Sequence, residues 1–133
     1  MNPAHVFHPD QVTIGTLLAA LRECEPEKRV VFDFCDRAPN GIHCTPNLVG
    51  DLALGHSALP GAHRPTVKRL IDVLYGAIHQ EWHTLQGHTF KASGETRLWV
   101  NDRDGELAGT VVTGLIVRQS AVIITTDLME VDQ

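Results

Sequence analysis

Apolar residues recur at helical spacing in two stretches that share one nine-residue pattern. Thr13-Ile-Gly-Thr-Leu-Leu-Ala-Ala-Leu21 and Thr66-Val-Lys-Arg-Leu-Ile-Asp-Val-Leu74 both read T-[IV]-x-x-L-[LI]-x-x-L. In each, the Thr hydroxyl is placed to cap the first turn, and the apolar positions fall on one face. Ile14, Leu17, Leu18 and Leu21 make one stripe. Val67, Leu70, Ile71, Leu74 and Ile78 make the other, with Trp82 continuing it. The pattern predicts two amphipathic helices against a common sheet. A shared local motif is thin ground for duplication, because good helix starts recur by chance.

Between and after the helices the period shortens to that of strands. Glu25-Pro-Glu27 ends the first helix, and Arg29–Cys35 reads as a strand through Val30, Val31, Phe32 and Phe34. Pro39-Asn-Gly41 and Pro46-Asn47 are turn signals around two short extended pieces, of which Asp51–Leu54 is the better. His56–Pro65 reads as a loop rich in Gly, Pro and His. The last third predicts an antiparallel meander of Thr89–Ala92, Thr96–Asn101, Glu106–Val117 and Ala121–Thr126. Asp104-Gly105 is a hairpin turn within it, and Gly114 a bulge or a close backbone approach. Apolar runs such as Val111–Val117 are hazardous at an open sheet edge, which leads us to expect a homo-oligomer. The expected organisation is an N-terminal arm over 1–12 and a single α+β domain over 13–133, with the two helices packed on a mainly antiparallel sheet.

Composition narrows the function classes. The chain has 133 residues, 43% hydrophobic and 20% charged, as one ordinary globular domain would. Four Phe, two Trp and one Tyr leave the core to Leu, Ile, Val and Ala. A net charge of −5 argues against duplex nucleic acid as partner, since that surface needs surplus Lys and Arg. The opening Met-Asn-Pro-Ala-His-Val-Phe-His-Pro lacks the charged lead and apolar run of a signal peptide, and no apolar stretch is long enough for a membrane helix. Cys24, Cys35 and Cys44 are an odd set with no C-x-x-C pair, read as free thiols in a reducing compartment. The expected location is the cytosol, away from membranes.

No segment matches the signature of an enzyme active site. His79 and His83 lie four apart, as in zinc proteases, but Glu81 falls on the far side of a helix and no third ligand is evident. A metal-dependent enzyme built on this pair remains the weaker alternative, and no metal or cofactor is expected. Gly55-His-Ser-Ala-Leu59 resembles a nucleophile elbow without its final Gly. Asn101–Glu106 resembles a calcium loop, yet its first ligand position would fall on Val100. Two sets of residues stay as candidates. Arg64, Lys68 and Arg69 gather at the start of the second helix, where free backbone N–H groups favour an anion. Phe90, Trp99, Asn101 and Arg118 come from the strand region, where aromatic faces can stack a base and Asn can read its edge.

The order of these islands resembles a family of small phage and prophage proteins. The matching pieces are Thr13–Leu21, Val31-Phe-Asp-Phe34, Asp51-Leu-Ala-Leu-Gly55, Thr66–Leu74, Glu95-Thr-Arg-Leu-Trp-Val100 and Gly109-Thr110. They span most of residues 13–126. Where that family shows G-Y-K-G-G-E-Y, this chain has Thr84-Leu-Gln-Gly-His-Thr-Phe90, keeping Gly87 and an aromatic, and Arg97 replaces a proline. More distantly the chain is similar to anti-Thoeris sponge proteins, phage products that sequester a cyclic nucleotide immune signal between subunits. The resemblance implies a non-enzymatic accessory protein that binds a small anionic ligand, a cyclic nucleotide being one candidate, as a homo-oligomer. The expected contacts are Arg64, Phe90, Trp99, Asn101 and Arg118. The alternative is a protein-interaction module that inhibits or adapts a host protein.

Overall fold

The computed structural model describes residues 9–34, 37–44, 50–57, 65–84, 87–101 and 107–128. Among them the chain runs α1 (Ile14–Arg22), β1 (Arg29–Phe32), β2 (Ala38–Cys44), β3 (Leu52–Ser57), α2 (Val67–Ala77), β4 (Glu81–His83), β5 (Thr89–Lys91), β6 (Leu98–Asn101), β7 (Leu107–Val117) and β8 (Ala121–Leu128). Six strands form one sheet in the order β1-β8-β7-β6-β3-β2, and β4 pairs with β5 in a separate ribbon. The class is α+β. Within the large sheet β2–β3, β6–β7 and β7–β8 are antiparallel, while β1–β8 and β3–β6 are parallel. Parallel neighbours need a long connection between them, which the intervening helix and strands supply.

Several expectations change here. The hairpins β6–β7–β8 form the end of the predicted meander, but β5 leaves it to pair with β4. The cause lies in the end of α2. The helix stops at Ala77, and the Trp82 indole folds back to donate from Nε1 to the Ala77 carbonyl at 2.9 Å. Trp82 and Phe90, cross-strand partners in the ribbon, then pack onto the same core that the helix stripe covers. Pro39-Asn-Gly41, read as a turn, lies inside β2 as a bulge with Gly41 at φ +156°. The bulge expected at Gly114 is present, at φ +155°. β7 and β8 are interior strands, so the open-edge hazard that motivated a homo-oligomer does not arise from them. The Asp104-Gly105 turn lies outside the described residues.

The main core joins both helices to one side of the sheet. Ile14, Leu17 and Leu21 of α1 meet Val67, Leu70 and Leu74 of α2 over Val30, Leu52, Leu98 and Val122. A smaller cluster of Ala53, Trp99 and Val111 is buried on the other side, as alternation along β3, β6 and β7 requires. The sheet curls until β1 approaches β2, where the Phe32 N–H donates to the Arg37 carbonyl at 2.8 Å.

The two helix starts are held in the same way, each by the other half of the chain. At α1, the Ile14 and Gly15 N–H groups donate to Thr96 and Gly94 carbonyls, both at 2.8 Å, and Thr13 Oγ1 accepts from the Thr16 N–H. At α2, the Val67 and Lys68 N–H groups donate to Lys28 and Pro26 carbonyls at 2.8 and 3.0 Å, and Thr66 Oγ1 accepts from the Arg69 N–H. Thr13 bridges Arg97 as Thr66 bridges Arg29. The Leu98 N–H donates to the Val12 carbonyl as the Val30 N–H donates to that of Pro65. The receiving loops read Gly94-Glu-Thr-Arg-Leu98 and Pro26-Glu-Lys-Arg-Val30. Strand register repeats in step, Leu52↔Leu98 answering to Val122↔Val30. The ribbon β4–β5 is the element without a counterpart, since α1 turns directly into β1.

Candidate functional site

A cleft of about 340 Å³ lies between α2 and β2. Pro39, Asn40 and Gly41 line it from the strand, Leu70 and Val73 from the helix, and Pro65 and Arg69 complete the lining. Its volume is at the low end of small-molecule sites. The walls are mostly apolar, and Arg69 is the charged residue among those that line them. Among the described residues no carboxylate pairs with Arg69. The bulge at Gly41 shapes the strand wall. Across from it Gly55 has no side chain, and a Cβ there would run into the Asn40 amide and the His43 imidazole.

The anion expected at the head of α2 loses one of its two supports. The Val67, Lys68 and Arg69 N–H groups are already bonded to Lys28, Pro26 and Thr66, and the Leu70 N–H to the Thr66 carbonyl. A helix start attracts an anion through unbonded N–H groups, and here they are taken. What is left for an anion is the charge of exposed side chains, Lys68 and Arg69.

The five expected ligand contacts do not form one site within the chain. Phe90 is half-buried on the helix side of the sheet, against the main core. Trp99 is 5% exposed on the opposite side, with Ala53 and Val111. The sheet separates them, because Trp99 alternates with Leu98 and Val100, which face the helices. The enclosed Trp99 ring has no free face for a base, and its Nε1 donates to Asp51 Oδ2 at 2.9 Å. Arg118 is exposed at the β7–β8 turn, where its carbonyl accepts from Lys28 Nζ at 2.7 Å. The backbone of Asn101 pairs with Leu107. The Asn101 side chain and all of Arg64 lie outside the described residues.

The helical spacing that suggested a metal pair is not present. His79 lies in the turn after α2 and His83 in β4, so they do not share a helix face. The His79 ring stacks on Tyr75 with centroids 4.3 Å apart and bonds through Nδ1 to the Tyr75 carbonyl at 2.8 Å. Among the described residues no group of three or more His, Cys, Asp or Glu is placed to hold a metal ion. Burial pushes the thiols of Cys24 and Cys44 up from their ordinary pKa, opposite to the shift a nucleophilic cysteine needs. Cys35 lies outside the described residues. Gly55–Ser57 continues β3 rather than turning sharply into a helix, so the resemblance to a nucleophile elbow ends there.

Two features escaped the sequence reading. Asp51, 7% exposed, accepts from the Trp99 indole and pairs with Arg97 at 3.2 Å, fastening β3 to β6 on the side away from the helices. The proline pair Pro39 and Pro65 lines the cleft from two distant parts of the chain. Neither leaves a local signal, since each depends on which strands become neighbours. No helix among the described residues is long and apolar enough to cross a membrane. Comparison with protein-family models, with curated proteins and with solved structures finds no match for the chain.

Proposed function

We propose that the protein is a non-enzymatic binding protein that holds a small anionic ligand in the α2–β2 cleft. The observation that carries this reading is the cleft itself, with mostly apolar walls and Arg69 among its lining residues. An arginine can grip a phosphate or carboxylate through paired charge-assisted hydrogen bonds, while Pro39, Pro65, Leu70 and Val73 suit a ring. Arg64 precedes this lining directly in sequence. Of the expected contacts, it is the one the reading retains.

The resemblance to phage and prophage accessory proteins extends the proposal to a role. The protein would act in the host cytosol and sequester a signal such as a cyclic nucleotide, as a homo-oligomer. Support for assembly now comes from Ile116 and Val117 on β7 and Leu128 on β8, apolar side chains that stand 41, 56 and 68% exposed. The same exposure favours the second reading, a module that docks on a host protein.

Thermal unfolding in the presence of cyclic and linear nucleotides tests the ligand. A compound at 100 times its Kd adds about 2.7 kcal/mol, which raises Tm by roughly 10 °C for a domain of this size. We expect at least one member of the panel to do so, and Arg69→Ala to abolish the effect. A panel that leaves Tm unmoved sinks the nucleotide version. A shift that survives Arg69→Ala moves the site away from the cleft.

A further inference from the structure

The recurring hydrogen bonds set each residue of one helix seat against a residue of the other. Thr13 answers to Thr66, Arg97 to Arg29, and the bulge at Gly114 to that at Gly41. Under this correspondence Val12 answers to Pro65, Val112 to Pro39 and Thr16 to Arg69. In the α1 seat the Val12 N–H donates to the Val112 carbonyl at 2.8 Å, tying the residue before the helix cap to the strand just ahead of its bulge. The α2 seat cannot make that bond. Proline has no N–H to give, and at this place Pro39 and Pro65 line the cleft. The cleft therefore stands where the other half of the molecule is stitched shut.

We infer that the chain is a tandem of two copies of one αβββ unit, and that its ligand cleft is one of two equivalent seams, held open by Pro65 and charged by Arg69. The inference rests on the reading of the cleft as a binding site only for the role of Arg69. The parts that carry it further are independent of any ligand. They are the matched caps, the matched donors to Gly94, Thr96, Pro26 and Lys28, the matched parallel registers and the matched bulges. Pro65 is a positioning residue in this scheme. It acts by lacking a donor, and its effect on the ligand is to leave room.

Pro65→Val restores the missing donor, and amide hydrogen exchange on the full-length variant reads the result directly. The expected outcome is an amide at position 65 that exchanges at least ~100-fold more slowly than an open one, comparable with the amide of Val12. Pro65→Ala supplies the same donor with a smaller side chain, should the first variant fold poorly. A freely exchanging amide at position 65 in a folded variant overturns the inference. Inorganic phosphate, titrated against the wild type while the Arg69 Nε–H resonance is followed, provides the second arm. We expect a saturable shift in the wild type that is lost in Pro65→Val. A protected amide together with an unchanged phosphate response overturns Pro65 as the gate. A protected amide with no phosphate response even in the wild type leaves the sealed seam standing and removes the anion-binding reading instead.

Discussion

The seats of α1 and α2 share a helix start, a capping threonine, a receiving loop and a parallel strand pair, yet they differ in what they leave open. In the α1 seat Gly15 lies against the backbone of Gly94, and Val12 is bonded to Val112. In the α2 seat Lys68 stands in the exposed position that answers to Gly15, and two prolines replace the bonded valines. The first is closed by backbone contact. The second keeps the same frame and gains a cleft with an arginine on its wall. The frame is thus set by hydrogen bonds that both seats make, and the opportunity for a ligand by one bond that only the first makes.

The sharpest way to break the comparison is at the second helical residue. A Cβ on Gly15 would lie 2.8 Å from the Gly94 carbonyl oxygen, which is backbone and cannot swing aside. Gly15→Val should lower stability by about 3 kcal/mol in chemical denaturation, as overpacking against a fixed wall does. Lys68→Val, at the exposed counterpart, should change it by less than ~0.5 kcal/mol. Equal effects would mean that the two seats are not built differently.

A smaller effect is expected on the side of the sheet away from the helices. Asp51 fastens Trp99 and Arg97 there, while its counterpart is Ala121, paired with Arg29 in β1–β8. Asp51→Ala leaves the indole N–H of a 5% exposed Trp99 without its acceptor and should cost about 2 kcal/mol in the same measurement. A neutral result would show that β3 and β6 do not depend on this buried polar fastening. The mildest test asks whether the caps are equivalent. Thr13→Ala and Thr66→Ala should each lose about 1 kcal/mol, and the two losses should agree. A cap worth nothing at one seat would weaken the claim that both copies keep one design.

Much of the fold was readable because the signals were local. A threonine followed by an i, i+3, i+4 stripe reports a helix start whatever surrounds it, and both starts lie at the predicted residues. Gly114 signalled its bulge. Pro39-Asn-Gly41 gave a similar signal and was read as a turn, because a glycine at positive φ serves either purpose and the choice depends on whether β3 continues alongside. The end of α2 departs from the expected helix for a related reason. Ile78 and Trp82 fit the helical stripe, and Trp82 does reach the core, but from a strand that folds back over Ala77.

The candidate site divides along the same line. Arg69 belonged to the basic cluster noted at the start of α2, and it lines the cleft. Phe90 and Trp99 both come from the strand region and both offer an aromatic face, but sheet membership and strand alternation put them on opposite sides. The sequence by itself determined the caps, the apolar stripes, the bulge glycines and the absence of a donor at Pro39 and Pro65. Only the tertiary structure decided that Lys28 and Pro26 would take the N–H groups of α2, and that the two prolines would meet at one seam. A hydrogen bond between residues distant in the chain exists only once topology makes them neighbours, and no local pattern encodes that choice.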